Sequence, residues 1–132
     1  MRIQRVWATA VLVLMSVVIL GGLASAHHGR AGIYDTDRRI EMDGVVSEWR
    51  WRNPHTYLVW DVTDDQGKVV GWTGEMSSTT SMMSEGLSRR TFQAGQEGTF
   101  TIIPATAGTP QGELIKVVLT DGTVLVDREP GD

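Results

Sequence analysis

The sequence predicts a mainly β protein: a small OB-like, five-stranded Greek-key barrel with one short helix between strands three and four, preceded by an N-terminal signal helix. Three observations support this prediction. Short stretches show strand patterning, a helix-like stretch interrupts them after the third, and 132 residues suit one small domain. A β-sandwich is the alternative fold, but the helix in the middle of the chain favours the barrel.

Residues 1–26 have the features of a secretory signal. Two arginines precede an uncharged apolar run at residues 6–23, and Ala24 and Ala26 occupy the −3 and −1 positions of a cut before His27. We therefore expect a periplasmic or secreted protein with no stable membrane span after cleavage. The apolar run of 18 residues is close to the minimum for a membrane helix, so a retained anchor is the alternative.

Residues 40–127 are predicted to form the barrel, between an extended lead-in at residues 27–39 and a flexible tail at residues 128–132. Ile33 and Tyr34 are the expected anchors of the lead-in. The predicted strands begin at residue 40 and continue at residues 55–63, 68–74, 98–104, 113–120 and, as a short final piece, 124–126.

The apolar residues of the first predicted strand change parity. Ile40 and Met42 share one face, whereas Val45 and Trp49 share the other. Because side chains alternate between the faces of a strand, this change predicts a β-bulge or bend near residues 43–44.

Residues 77–88 interrupt the strand pattern and predict a short helix. Serine and threonine at residues 77–80 can cap its start, and Gly86 is close to its expected end. Met82, Met83 and Leu87 fall at helical spacing, so we expect all three to be buried.

Composition excludes several functional classes. The chain has no cysteine, which excludes disulfides and thiolate metal sites. Its net charge is −4, and removal of the signal, which contains two arginines and no acid, would make it −6. An acidic domain is a poor candidate for nucleic acid, which binds basic faces.

Five segments resemble a family of small exported bacterial proteins that is catalogued as a domain of unknown function. The segments are residues 27–29 (His-His-Gly), 34–35 (Tyr-Asp), 44–49, 51–55 and 121–122. The most specific part is Glu-Trp-x-Trp-x-Asn-Pro-His at residues 48–55. The resemblance implies a signal peptide and an OB-like barrel, and it implies no activity. The chain departs from the family at residues 77–80, where the family has Gly-Ser-Pro-Asn, and it lacks the tryptophan that follows the helix.

The histidines suggest a metal site. After cleavage, His27 would offer its α-amine and its imidazole, and His55 could add a third nitrogen, with His28 as a substitute or helper. Three nitrogens suit Cu(II), and Asp35 is a possible oxygen ligand or orienting group. The alternative is a solvated polar N-terminus, with His55 capping the turn after Asn53-Pro54.

Four tryptophans on the first three predicted strands suggest a second kind of site. Trp49 and Trp51 share a face and, with Asn53 and Tyr57, could bind an uncharged oligosaccharide or a protein without metal. The alternative is that the tryptophans fill the core. The serines, histidines and acids lack the spacing of a catalytic triad, so we expect a binding protein and no enzyme.

Overall fold

The computed structural model describes residues 32–129, so the predicted signal helix and the first five residues of the lead-in (27–31) lie outside the described residues. By internal contacts the chain divides into Met1–Ile33 and Tyr34–Asp132, and the fold described below is that of the second unit. Its elements are, in order, β1 (Ile40–Arg50), β2 (Thr56–Thr63), β3 (Val69–Met76), α1 (Thr79–Ser84), β4 (Glu97–Pro104), β5 (Gln111–Leu119) and β6 (Val124–Asp127). Within this part of the chain, no helix has the length and apolar composition needed to cross a membrane.

Strands β1 to β5 close into a barrel. β1 lies between β2 and β4, β3 is next to β2, β5 is next to β4, and all these pairs are antiparallel. A short parallel pairing of β3 with β5 joins the two ends of the sheet, and β6 is an extra strand on β5. The prediction of a mainly β, five-stranded closed barrel with one short helix between strands three and four is confirmed.

The barrel interior is filled by apolar side chains that alternate along the strands. The indole of Trp60 stacks on the ring of Phe100, with centroids 4.7 Å apart and an angle of 12° between the planes. Leu58, Ile102 and Leu114 are fully buried around them. On β2 every second residue from Thr56 to Trp60 is buried, which is the period expected when one strand face forms the core.

A glycine allows β3 and β5 to approach closely where the barrel closes. A Cβ placed on Gly74 would lie 2.7 Å from the Cβ of Leu114 and 3.0 Å from the ring of Trp60. Real side chains do not approach so closely, so this position has room only for glycine. On the same strand, a Cβ on Gly71 would meet only the Asp61 carboxylate, at 3.5 Å.

The bulge of β1 lies further along the strand than predicted. The pairing with β2 shifts register between Val46 and Glu48, not near residues 43–44. Val46 is 1% exposed and Val45 is 40% exposed, so the inward face of Ile40 and Met42 continues to Val46. Because Val45 and Val46 are equally hydrophobic, the sequence does not show which of them faces the core. The pairing of β1 with β2 determines it.

Two predictions of buried residues were wrong in part. Tyr34 is buried as expected, but Ile33 is 51% exposed. Met82 and Leu87 are buried, whereas Met83 is 56% exposed. The short helix turns Met82 to the core, and Met83, which points about 100° further round the helix axis, faces solvent.

Candidate functional site

His55 and Glu75 form a pair at the end of the β2–β3 hairpin. His55 precedes β2, and Glu75 lies opposite Tyr57 on β3. Because residues two apart share a strand face, His55 is the diagonal neighbour of Glu75. Nδ1 of His55 contacts Oε1 of Glu75, and the two side chains are 38% and 24% exposed. The pair is therefore partly accessible from solvent.

The same carboxylate binds a tyrosine from the lead-in. The hydroxyl of Tyr34 donates to Oε2 of Glu75 at 2.8 Å. Tyr34 makes a β-bridge with Ala105 and packs against Ile103 and Ile115. Glu75 thus links His55 to a buried side chain, and this role of Glu75 was not predicted from the sequence. The hairpin turn at residues 64–67 is the signal that could have found it, because its register sets the residue opposite Tyr57.

Glu75 leaves one nitrogen of His55 for another partner. Nδ1 faces the carboxylate, and Nε2 makes no hydrogen bond with any residue of the described range. A carboxylate on one ring nitrogen fixes the orientation and tautomer of an imidazole and prepares the other nitrogen as a ligand.

The predicted copper ligands are only partly within the described range. His27 and His28 lie outside it, and His55 lies inside. Among residues 32–129 no group of three or more histidine, cysteine, aspartate or glutamate side chains is placed to hold a metal ion. Asp35 lies 4.0 Å from the guanidinium of Arg38, and its backbone N–H donates to the carbonyl of Pro104.

The structure brings Trp49 and Trp51 together, as the second hypothesis requires. Their ring centroids are 5.5 Å apart, and both side chains are half-buried. Trp49 also packs edge-on against Phe92 at 5.0 Å, and its indole N–H donates to the carbonyl of Ser88 at 3.0 Å. The two indoles are thus held in place by the core and by the segment after α1.

Asn53 and Tyr57 are placed differently from this pair. Oδ1 of Asn53 accepts hydrogen bonds from the backbone N–H and the hydroxyl of Thr79, at 3.1 and 2.9 Å. Tyr57 is half-buried on β2, and the guanidinium carbon of Arg52 lies 5.5 Å from its ring centroid. Asn53 therefore accepts hydrogen bonds at the start of α1, and the ring of Tyr57 lies next to the guanidinium of Arg52.

An ion pair lies on the exposed face of β1 near these aromatic residues. A guanidinium nitrogen of Arg50 donates to Oε2 of Glu48 at 2.6 Å. This hydrogen bond holds the pKa of Glu48 below its usual value and raises the pKa of Arg50. The negative charge of Glu48 is thus paired with the positive charge of Arg50.

A surface depression of about 440 Å³ lies between β1, β2 and β4. Asp43, Asp61 and Glu97 are among the residues that line it. The hydroxyl of Thr99 donates to Asp43 at 2.6 Å. The depression is acidic, and it belongs to neither predicted site.

Comparison with known proteins identifies a family and no function. No curated protein and no solved structure matches the chain. The model of a family of unknown function (DUF6152) matches residues 13–114, which include His27, His55, Glu75 and the strands from β1 to β4. The match covers more than half of the chain, and it agrees with the resemblance to an uncharacterised family. The protein therefore belongs to this family of unknown function, DUF6152.

Proposed function

We propose that the protein is an exported binding module, periplasmic or secreted, that binds Cu(II) through Nε2 of His55, with His27 and His28 as further ligands. The observation that carries this proposal is the contact of Glu75 with Nδ1 of His55. Histidines that bind metals almost always place their second ring nitrogen against a carboxylate, a carbonyl or water. The proposal concerns binding, without a catalytic step.

The remaining ligands are proposed from the sequence. Cleavage after Ala26 would give His27 a free α-amine beside its imidazole, so one residue would supply two nitrogens. Together with Nε2 of His55 this makes three nitrogens, the donor type that Cu(II) prefers, and Cu(II) binds more tightly than other divalent first-row metals. Both the amine and the imidazoles must be unprotonated to bind.

The test is a copper titration of the processed protein, with its N-terminus confirmed by mass spectrometry. We expect one Cu(II) per chain and a paramagnetic resonance spectrum with nitrogen couplings. His55→Gln should weaken the affinity by at least about tenfold, since it removes a ligand. Circular dichroism of the variant should show the parent fold.

A matched control tests the N-terminal ligand. One additional glycine before His27 leaves every side chain in place but separates the α-amine from the imidazole. We expect this chain to bind copper more weakly than the processed protein. Equal affinity in the parent, the extended chain and His55→Gln would contradict the proposal.

A second candidate function is metal-free binding of a carbohydrate or a protein on the Trp49–Trp51 face. The observation that favours it is that both indoles are partly exposed and lie side by side. Tyr57 lies opposite Arg50 and not on the strand face of Trp49, and both acceptor contacts of Asn53 are made with Thr79. Quenching of tryptophan fluorescence by an added saccharide would support this candidate, and no response to any saccharide would contradict it.

A further inference from the structure

Two exposed arginines lie beside the two partly exposed indoles. Arg89 and Arg90 belong to the turn whose first carbonyl accepts the indole N–H of Trp49. We name Arg89, Arg90, Trp49 and Trp51 together the arginine–tryptophan patch.

The turn that carries these two arginines is held by its own hydrogen bonds. The hydroxyl of Thr91 accepts from the backbone N–H of Ser88 at 2.7 Å, and the hydroxyl of Ser88 accepts from the backbone N–H of Arg90 at 3.2 Å. The backbone N–H of Thr91 donates to the carbonyl of Ser88 at 3.1 Å. The backbone of Arg89 and Arg90 is therefore fixed beside Trp49, and their side chains extend into solvent.

The positive charge of the patch is not neutralised by its surroundings. Arg89 and Arg90 make no ion pair with any carboxylate in residues 32–129. The acids next to the patch in the chain have other partners, since Glu48 binds Arg50 and Glu85 lies 3.1 Å from the guanidinium of Arg128. In a chain of net charge −4, this is a local excess of positive charge. It is complementary to an anion.

We propose that the arginine–tryptophan patch binds an oligosaccharide that carries carboxylates, such as a chain of uronic acids. A planar guanidinium binds a carboxylate through two parallel hydrogen bonds, and an indole face packs on the apolar face of a sugar ring. The proposal is independent of copper, and it gives the second candidate function a ligand class.

The remaining surface favours a saccharide over a membrane or a nucleic acid. Among residues 32–129 the exposed large apolar side chains are Ile33, Val45, Val69, Met83 and Val124, and none of them belongs to the patch, which disfavours insertion of the patch into lipid. The net negative charge of the chain repels any long polyanion that extends beyond the patch, such as a nucleic acid. A short acidic sugar chain can engage the patch alone.

The test compares two hexasaccharides of equal length by calorimetry and by tryptophan fluorescence at low salt. One is a hexamer of galacturonic acid, and the other is its methyl ester, which carries no charge. We expect the acid hexamer to bind and to quench fluorescence, and its affinity to fall as salt is added. The ester should bind at least about tenfold more weakly, because it cannot form charge-assisted hydrogen bonds.

Matched double variants locate the site. Arg89→Gln with Arg90→Gln should lower the affinity for the acid hexamer by at least about tenfold. Arg38→Gln with Arg39→Gln removes the same charge before β1 and should leave the affinity unchanged. Both double variants should bind copper like the parent, which separates this proposal from the copper site.

Four results would overturn the proposal. They are no binding of the acid hexamer, equal binding of the acid and the ester, equal losses in the two double variants, and tighter binding of a thymidine hexanucleotide or of phosphatidylglycerol vesicles. Equal binding of both hexasaccharides would overturn the acidic ligand and still support the second candidate function.

Discussion

The side-chain carbonyl of Asn53 accepts two hydrogen bonds from Thr79, one from its backbone N–H and one from its hydroxyl, at 3.1 and 2.9 Å. Thr79 is the first residue of α1, and a backbone N–H at that position has no partner within the helix. The segment between β1 and β2 therefore determines where α1 begins, together with the N-cap Ser78.

We expect Asn53→Ala to lower the free energy of unfolding by about 1–2 kcal/mol, because it removes the acceptor of a buried N–H and hydroxyl. Asn53→Asp keeps the acceptor oxygen and should cost less. Urea unfolding of both variants measures the difference. Equal losses would show that the amide nitrogen, and not Oδ1, matters at this position.

Tyr34→Phe isolates the hydrogen bond to Glu75. It should cost about 0.5–1.5 kcal/mol of unfolding free energy, since only the hydroxyl is lost. Tyr34→Ala also removes the ring that packs on Ile103 and Ile115, so it should cost about 3 kcal/mol or more. Thermal or urea unfolding distinguishes them, and a full loss with Tyr34→Phe would contradict this separation.

Two glycines of β3 provide a matched test of close packing. Gly74→Ala should cost about 1–3 kcal/mol, because its Cβ would collide with Leu114 and the ring of Trp60. Gly71→Ala should change the stability by less than about 0.5 kcal/mol, because its Cβ meets only a carboxylate oxygen at an ordinary distance. Similar losses of stability at both positions would show that alanine is unfavourable anywhere in this part of β3, whether or not it contacts β5.

Glu75→Gln tests the positioning of His55, and this test rests on the proposed copper site. We expect copper affinity to fall by about 10- to 100-fold, because an uncharged amide holds the imidazole less firmly in the orientation that presents Nε2. Glu97→Gln removes the same charge at an exposed position of β4 and should leave copper affinity unchanged. A Glu75→Gln protein that binds copper like the parent would show that the carboxylate does not prepare His55.

The turn between β5 and β6 should make stability depend on pH. Hydrogen bonds from the backbone N–H and the hydroxyl of Thr123 hold the pKa of Asp121 below its usual value. A carboxylate with a lowered folded-state pKa stabilises the protein above about pH 4, the unfolded-state value, and this contribution disappears as the pH falls through the lower, folded-state value. Asp121→Asn should therefore unfold more easily than the parent near neutral pH, with a gap that narrows below about pH 4. A constant gap in acid-unfolding curves would contradict the assignment.

The order of the elements could be predicted because local patterns encode it. Alternating apolar residues mark β2, and the hairpin turn at residues 64–67 separates it from β3. The bulge of β1 could not be placed, because Val45 and Val46 are equally apolar and only the pairing with β2 determines which one points inward.

The candidate site was predictable only in part. His55 stands out by its residue type, whereas Glu75 is one of many acids until the register of β2 and β3 is known. The role of Asn53 was also missed, since its partner Thr79 is distant in sequence and only the barrel brings the two together. Residue chemistry is local, but the pairing of side chains depends on the tertiary fold.

Glu75 contributes both to a strand pairing and to a cluster of side chains. Its backbone pairs with Glu113 in the parallel contact that closes the barrel, and its carboxylate holds His55 and Tyr34. If β3 and β5 separated, the side chains around His55 would therefore move apart as well. A ligand that requires His55 in this position would bind only the closed barrel. Its binding would therefore increase the stability of the closed barrel. Spectroscopic signals of the His55 imidazole should therefore report whether β3 and β5 are paired.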